Sequence, residues 1–217
     1  MGHALPVLGH SLPTLSAATK PAVLVLCGLW LAGCASAPPK NPADLCALFR
    51  ERDGWYAAAL RAERRWGLPV PVQMAIINRE SGFVEDARPP RYRFLGVIPL
   101  WRLSSAYGYG QVKDATWDWY RATTGQADAD RDAFEDVVDF VAWYGHQSRS
   151  QLGISPYDAY RHYLAYHEGH AGYRRGSYRA KPGLKRVARQ VAADARRYRR
   201  QLAGCQAALA RTLTALE

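Results

Sequence analysis

A mainly α fold is predicted for this chain on three observations. Apolar residues recur at spacings of three and four in one segment after another from residue 44 onward, the pattern of helices with one buried face. Proline and glycine fall between those segments and mark their ends. The composition, 48% hydrophobic and 22% charged over 217 residues, is that of a globular chain of about one domain and excludes wholesale disorder.

The first helical pattern begins at Asp44, with Leu45, Leu48 and Phe49, then Trp55, Ala59 and Leu60. Leu68-Pro69-Val70-Pro71 ends it. A second helix is expected over 72–79, with Pro71 suited to its first turn and Gly82 to its C-terminal stop. Residues 84–107 contain Pro89, Pro90 and Pro99 and no period. They read as a long loop or a loop with a small hairpin, and loops of that length are commonly functional. Further helices are expected over 111–120, over 132–147 and over 157–165; Phe134, Val137, Val138, Val141 and Tyr144 form the apolar stripe of the middle one. Gly169, Gly172 and Gly176 indicate a glycine-rich loop. The last helix, over about 184–216, carries Arg196, Arg197, Arg199 and Arg200, either a solvated face or a hold on an anionic polymer. Trp117, Trp119 and Trp143 lie in helical runs and read as core rather than as sugar-stacking platforms.

Residues 21–33 are an apolar run behind Lys20, too short for a comfortable permanent span and followed by small residues and prolines. That is the layout of a secretory signal. Leu31-Ala32-Gly33-Cys34 resembles the lipobox of bacterial lipoproteins. The resemblance implies cleavage before Cys34, a lipid on Cys34 and, with Ala35 next, sorting to the periplasmic face of the outer membrane. The other reading is an uncleaved anchor helix with an incidental cysteine. Three parts result: a signal peptide over 1–33, a lipidated flexible tether over 34–43 and a folded domain over 44–217. Export removes nucleic acid as a partner despite the formal charge of +10. Of the 4 cysteines, Cys46 and Cys205 remain for the domain, as a disulfide across its ends or as two buried thiols.

Glu80 follows Ile77 and Ile76 by three and four residues, so it lies on the apolar face of its helix at the C-terminal end. Burial and the negative end of the helix dipole both disfavour the carboxylate and raise its pKa. A carboxyl that is neutral near pH 7 can protonate the leaving oxygen of a glycosidic bond. A structural Glu paired with a nearby Arg is the alternative.

Three segments decide between them. Glu80-Ser81-Gly82-Phe83, Gly108-Tyr109-Gly110-Gln111 and Ala165-Tyr166-His167-Glu168-Gly169 resemble, in order, the Glu-Ser, Gly-x-x-Gln and Ala-Tyr-Asn-x-Gly motifs of the soluble-lytic-transglycosylase family. The resemblance covers roughly residues 66–180 and implies a lysozyme-like helical domain with a central cleft. It makes Glu80 the catalytic acid. It places Ser81, Ser105, Tyr109, Gln111, Tyr166, His167 and Glu168 on the substrate, with Ser104 as the alternative to Ser105. His167 stands where the family has Asn, and residues 84–104 look like an insertion at the cleft rim.

The implied substrate is the peptidoglycan glycan strand, whose carboxylates suit a basic protein. The implied reaction cleaves the β-1,4 bond between N-acetylmuramic acid and N-acetylglucosamine. Glu80 acts first as acid, then as the base that closes a 1,6-anhydro ring, so the second carboxylate of most glycosidases is not needed. A hydrolytic muramidase of similar fold and a non-catalytic peptidoglycan-binding lipoprotein are the rival readings. No cofactor is implied and a monomer is expected. His167 and His170 are three apart rather than four, which argues against a zinc site.

Overall fold

The central helix owes its position to its sequence. Val70, Pro71, Val72, Gln73, Met74, Ala75, Ile76 and Ile77 are all buried, so this helix has no solvent face over its first two turns and must be surrounded. Its one buried side-chain amide is satisfied on the donor side alone: Gln73 Nε2 donates to Leu68 O at 2.7 Å and to Ala59 O at 3.2 Å, while Oε1 has no partner among the described residues. In the computed structural model, which describes residues 1–3, 37–89, 91–94, 98–102 and 104–214, it is one of seven α-helices and packs against the second, fifth, sixth and seventh of them. Residues 37–214 belong to one compact unit, Ser36–Glu217. Cys34 and the apolar run lie outside the described residues.

The helices are α1 (Leu45–Glu51), α2 (Trp55–Trp66), α3 (Val70–Ser81), α4 (Asp114–Thr124), α5 (Phe134–Leu152), α6 (Ala159–Arg175) and α7 (Pro182–Thr214). Strands β1 (Arg91–Phe94) and β2 (Ile98–Arg102) form an antiparallel hairpin between α3 and α4. The fold is thus mainly helical and of the lysozyme-like kind, with the hairpin in the segment expected as a rim insertion. The α2 helix packs on α5, and α7 on α3 and α6. At the centre Trp55 and Phe134 stack with centroids 3.7 Å apart, and Tyr109 meets both edge-on. Asp139 ties three elements together, accepting from Trp66 Nε1, Tyr120 Oη and Gln126 Nε2 at 2.8–2.9 Å. Trp117 and Trp143 are buried, as core positions should be, whereas Trp119 remains 38% exposed.

Several boundaries differ from the periodicity. The first pattern is two helices, because Gly54 at φ 79° caps α2 in a left-handed conformation between them. The α5 helix runs five residues beyond 147, to the glycine stop at Gly153. The glycine-rich loop is not a loop: α6 continues to Arg175 through a kink at Gly169 (φ 72°, ψ 158°). The α6 helix resumes because the far side has partners. His170 Nε2 lies 2.9 Å from Ser148 Oγ, and its ring stacks on Tyr144 at 4.4 Å.

Residues 37–43, expected as free tether, lie against the domain. Arg52 donates to Ala37 O, Lys40 N to Glu51, Tyr198 Oη to Pro42 O and Arg197 Nε to Ala43 O. Pro39 is buried. Cys46 and Cys205 form a disulfide with Cα atoms 6.2 Å apart, closing 159 residues of chain.

Candidate active site

Glu80 enters a cavity of about 510 Å³ from the last turn of α3. The α3 helix ends there because Gly82 takes a left-handed conformation (φ 62°) and returns its N–H to Asn78 O. Ser81 does not line the cavity. Its Oγ accepts from Phe83 N at 3.1 Å and faces Ile77 O at 3.4 Å, so it fixes the turn that holds Glu80.

The second wall is the Gly108–Gln111 turn. Gly108 has φ 75°, and a Cβ there would sit 1.9 Å from Arg131 O, so no other residue fits. A Cβ on Gly110 would be 3.0 Å from the Tyr166 hydroxyl, which donates to Gly110 O at 2.7 Å. Gln111 has φ 48°, an uncommon conformation for a residue with a Cβ, held by its amide donating to Ala87 O (2.7 Å) and Gly108 O (3.0 Å). Gln111 also lines the cavity. Tyr109, by contrast, is buried in the aromatic core. Ser105 caps α4, accepting from Asp114 N at 3.2 Å, while its neighbour Ala106 reaches the cavity.

The α6 helix supplies the third wall, with Tyr166, His167, Glu168 and Gly169. Just past the kink the His170 backbone N–H bonds the Tyr144 hydroxyl; Tyr144 also lines the cavity. Glu168 is committed elsewhere. Its carboxylate takes Lys181 Nζ at 2.8 Å, the Ser177 hydroxyl and His167 Nδ1 at 3.0 Å. Desolvation works against the charge, but these donors outweigh it and hold the carboxyl at about 2. The two imidazoles serve different partners, His167 with Glu168 and His170 with Ser148. Among the described residues no cluster of His, Cys, Asp and Glu could hold a metal ion.

Glu80 is the opposite of Glu168. Burial pushes its carboxyl up to about 7, against the lowering effects of a hydrogen bond from Tyr163 and the charge of Arg79. Its Oε1 is buried without a hydrogen-bond partner, a condition a neutral carboxyl bears far better than a carboxylate. Burial also raises the Tyr163 and Tyr166 hydroxyls, with Glu80 adding to both, so both remain donors at any ordinary pH. Tyr163 was not singled out from the sequence. Its signal was there, since it precedes Tyr166 by three residues and so shares its helix face. Lys113, Thr116 and Phe140 also line the cavity without any motif to mark them.

A larger cavity of about 790 Å³ lies between α2, the start of α3 and α7. Its carboxylates are caps: Glu63 accepts from Val70 N at 2.7 Å, and Asp158 accepts from Arg161 N at 3.0 Å. The acid chemistry therefore belongs to the smaller cavity.

A carboxyl held near neutrality by burial in the cleft of a helical domain can donate a proton to a leaving oxygen, as glycosidic cleavage requires. Residues 22–205 match the transglycosylase SLT domain family, most of the chain, and the chain belongs to that family. It is a transglycosylase, and its substrate is peptidoglycan. No curated protein and no solved structure matches the chain.

Proposed function

We propose that the protein is a lytic transglycosylase in which Glu80 alone serves as general acid and then general base. The observation that carries this reading is the Glu80 carboxyl, pushed up to about 7 with one oxygen buried and unpartnered in the cleft. At neutral pH a large fraction of molecules hold the proton that the glycosidic oxygen must receive. After bond cleavage the carboxylate removes the proton of the muramyl 6-hydroxyl, whose oxygen closes the 1,6-anhydro ring. Among the described residues one other carboxylate lines the cavity, Glu168, and its three donors keep it from acting as nucleophile or base. This supports a reaction in which the substrate supplies the second function rather than the two-carboxylate hydrolysis of a muramidase.

The roles follow from the contacts. Tyr163 orients the Glu80 carboxyl and stabilises its charged form. Tyr166 holds the glycine turn in place, and the Gln111 amide oxygen accepts from a sugar hydroxyl or acetamido N–H. Digestion of purified sacculi, with mass spectrometry of the products, tests the reaction. Anhydro-muropeptides are expected; reducing ends would establish a hydrolase. Glu80→Gln is expected to abolish product, and full turnover by that variant would remove Glu80 from the mechanism.

The chain is further proposed to be lipidated on Cys34 and held at the periplasmic face of the outer membrane. The order of Lys20, apolar run, small residues and Cys34 supports it. Mass spectrometry of the N-terminal peptide from membrane fractions tests it.

A further inference from the structure

The α7 helix is strongly basic. The helix has eight basic residues and a single carboxylate, Asp194. That carboxylate is taken by Arg197 at 2.7 Å. Arg186, Arg189, Arg196 and Arg200 are exposed and, among the described residues, have no ion-pair or hydrogen-bond partner. At about 100° per residue they fall on one stripe, opposite the buried Leu184, Ala188, Val191, Ala195, Tyr198 and Leu202. An arginine row without counter-charge raises the free energy of the isolated domain by self-repulsion and is relieved by an anionic surface.

Residues 37–43 indicate which surface. They bridge α1 to α7: Ala37 O accepts from Arg52 just past the end of α1 and Lys40 N donates to Glu51, whereas Pro42 O and Ala43 O accept from Tyr198, Arg197 and Gln201 on one flank of α7. Only three peptide units therefore separate Cys34 from Ala37, the first residue that the domain grips. At ~3.3–3.6 Å per residue that is a reach of about 10 Å, close to the Debye length of about 8–10 Å at physiological salt. A lipid on Cys34, as proposed above, would hold the start of this strap near the headgroups, and the strap leads from there onto the flank of α7.

We infer that the arginine stripe of α7 is a docking surface for anionic phospholipid headgroups, which lays the domain against the bilayer beside its anchor. Guanidinium groups suit it because each can bind a phosphate in bidentate fashion. The short span then acts together with the stripe, as a lipid anchor combined with a basic patch.

The Ser36–Glu217 unit contains the whole described core and can be made alone, without Cys34, so the stripe is tested apart from the lipid. It is mixed with vesicles of phosphatidylcholine alone and of phosphatidylcholine with phosphatidylglycerol, and binding is read by co-sedimentation. Binding only to the anionic vesicles, weakening with salt, is expected. The triple change Arg189→Glu, Arg196→Glu and Arg200→Glu should lower it by roughly tenfold or more. Reversal of Arg64, Arg149 and Arg175, exposed elsewhere, should lower it far less. Equal loss in both triples, no discrimination between the vesicles, or a stripe variant that loses sacculi but keeps vesicles would each overturn the proposal; the last would assign the stripe to the wall polymer. Glu80→Gln should bind vesicles as the parent unit does, so failure of the catalytic reading leaves this result standing.

Discussion

In the proposed reaction a single side chain, Glu80, sets the chemistry, and its protonation has two measurable consequences. Raising Glu80 from 4.5 to about 7 means the folded protein binds a proton that the unfolded chain has lost in that range. The stability this represents is present below 4.5 and lost as pH rises through 7, at most about 3 kcal/mol. Glu80→Gln should therefore raise Tm at pH 8 relative to the parent and change it little at pH 4, as scanning calorimetry would show, while turnover falls at least ~10²-fold. Because the acid must be protonated, kcat/KM should fall above pH 7. Tyr163→Phe removes a donor that favours the charged form, so the falling limb should move to higher pH. A limb that stays in place in that variant would separate Tyr163 from the acid. Glu168 works with the opposite sign. Its contribution is present above 4.5 and lost as pH falls toward 2, and Glu168→Gln should flatten the stability curve in that acid range.

At the scale of elements, the site depends on how three chain segments end or bend. The α3 helix ends at Gly82, the Gly108–Gln111 turn tolerates no Cβ at its first residue, and α6 kinks at Gly169. Gly108→Ala meets the Arg131 carbonyl and a positive φ at once. It should cost more than ~1–3 kcal/mol in denaturant unfolding and weaken turnover by displacing Gln111. The helices were legible because Leu45, Leu48 and Phe49, or Val137, Val138 and Val141, repeat at the helical period and are buried for that reason. The break at Gly54 and the continuation of α6 past Gly169 were not legible. A glycine ends a helix or kinks it according to what packs beyond it, and for α6 that is Ser148 and Tyr144, about twenty residues away in sequence. The hairpin was only half legible, since Pro99 and the absence of a period gave no register for the pairing of Arg93 with Pro99 and Phe94 with Ile98.

Over the whole molecule, the two ends of the domain are joined. The strap of residues 37–43, the Cys46–Cys205 disulfide and Gln201 bonded to Leu45 N bring α1 onto α7. Closing so long a loop lowers unfolded-state entropy, so Cys46→Ser should lose about 2–5 kcal/mol under oxidising conditions and nothing further on reduction. Chemical denaturation with and without reductant measures it. The same closure places the basic face of α7 beside the segment that leads back to Cys34.

The sequence by itself determined the helical class, the order of the helices and the family, because period, cap residues and motif order are local properties of the chain. It also held Cys46 and Cys205, without saying whether they meet. Only the tertiary structure decided which motif residues reach the cleft. Glu80, Gln111, Tyr166, His167 and Glu168 line it, whereas Tyr109 went to the core and Ser81 and Ser105 became backbone caps. It also decided that two glutamates with the same intrinsic acidity differ by several pH units, because desolvation and the number of donors around a carboxylate are set by packing between distant segments.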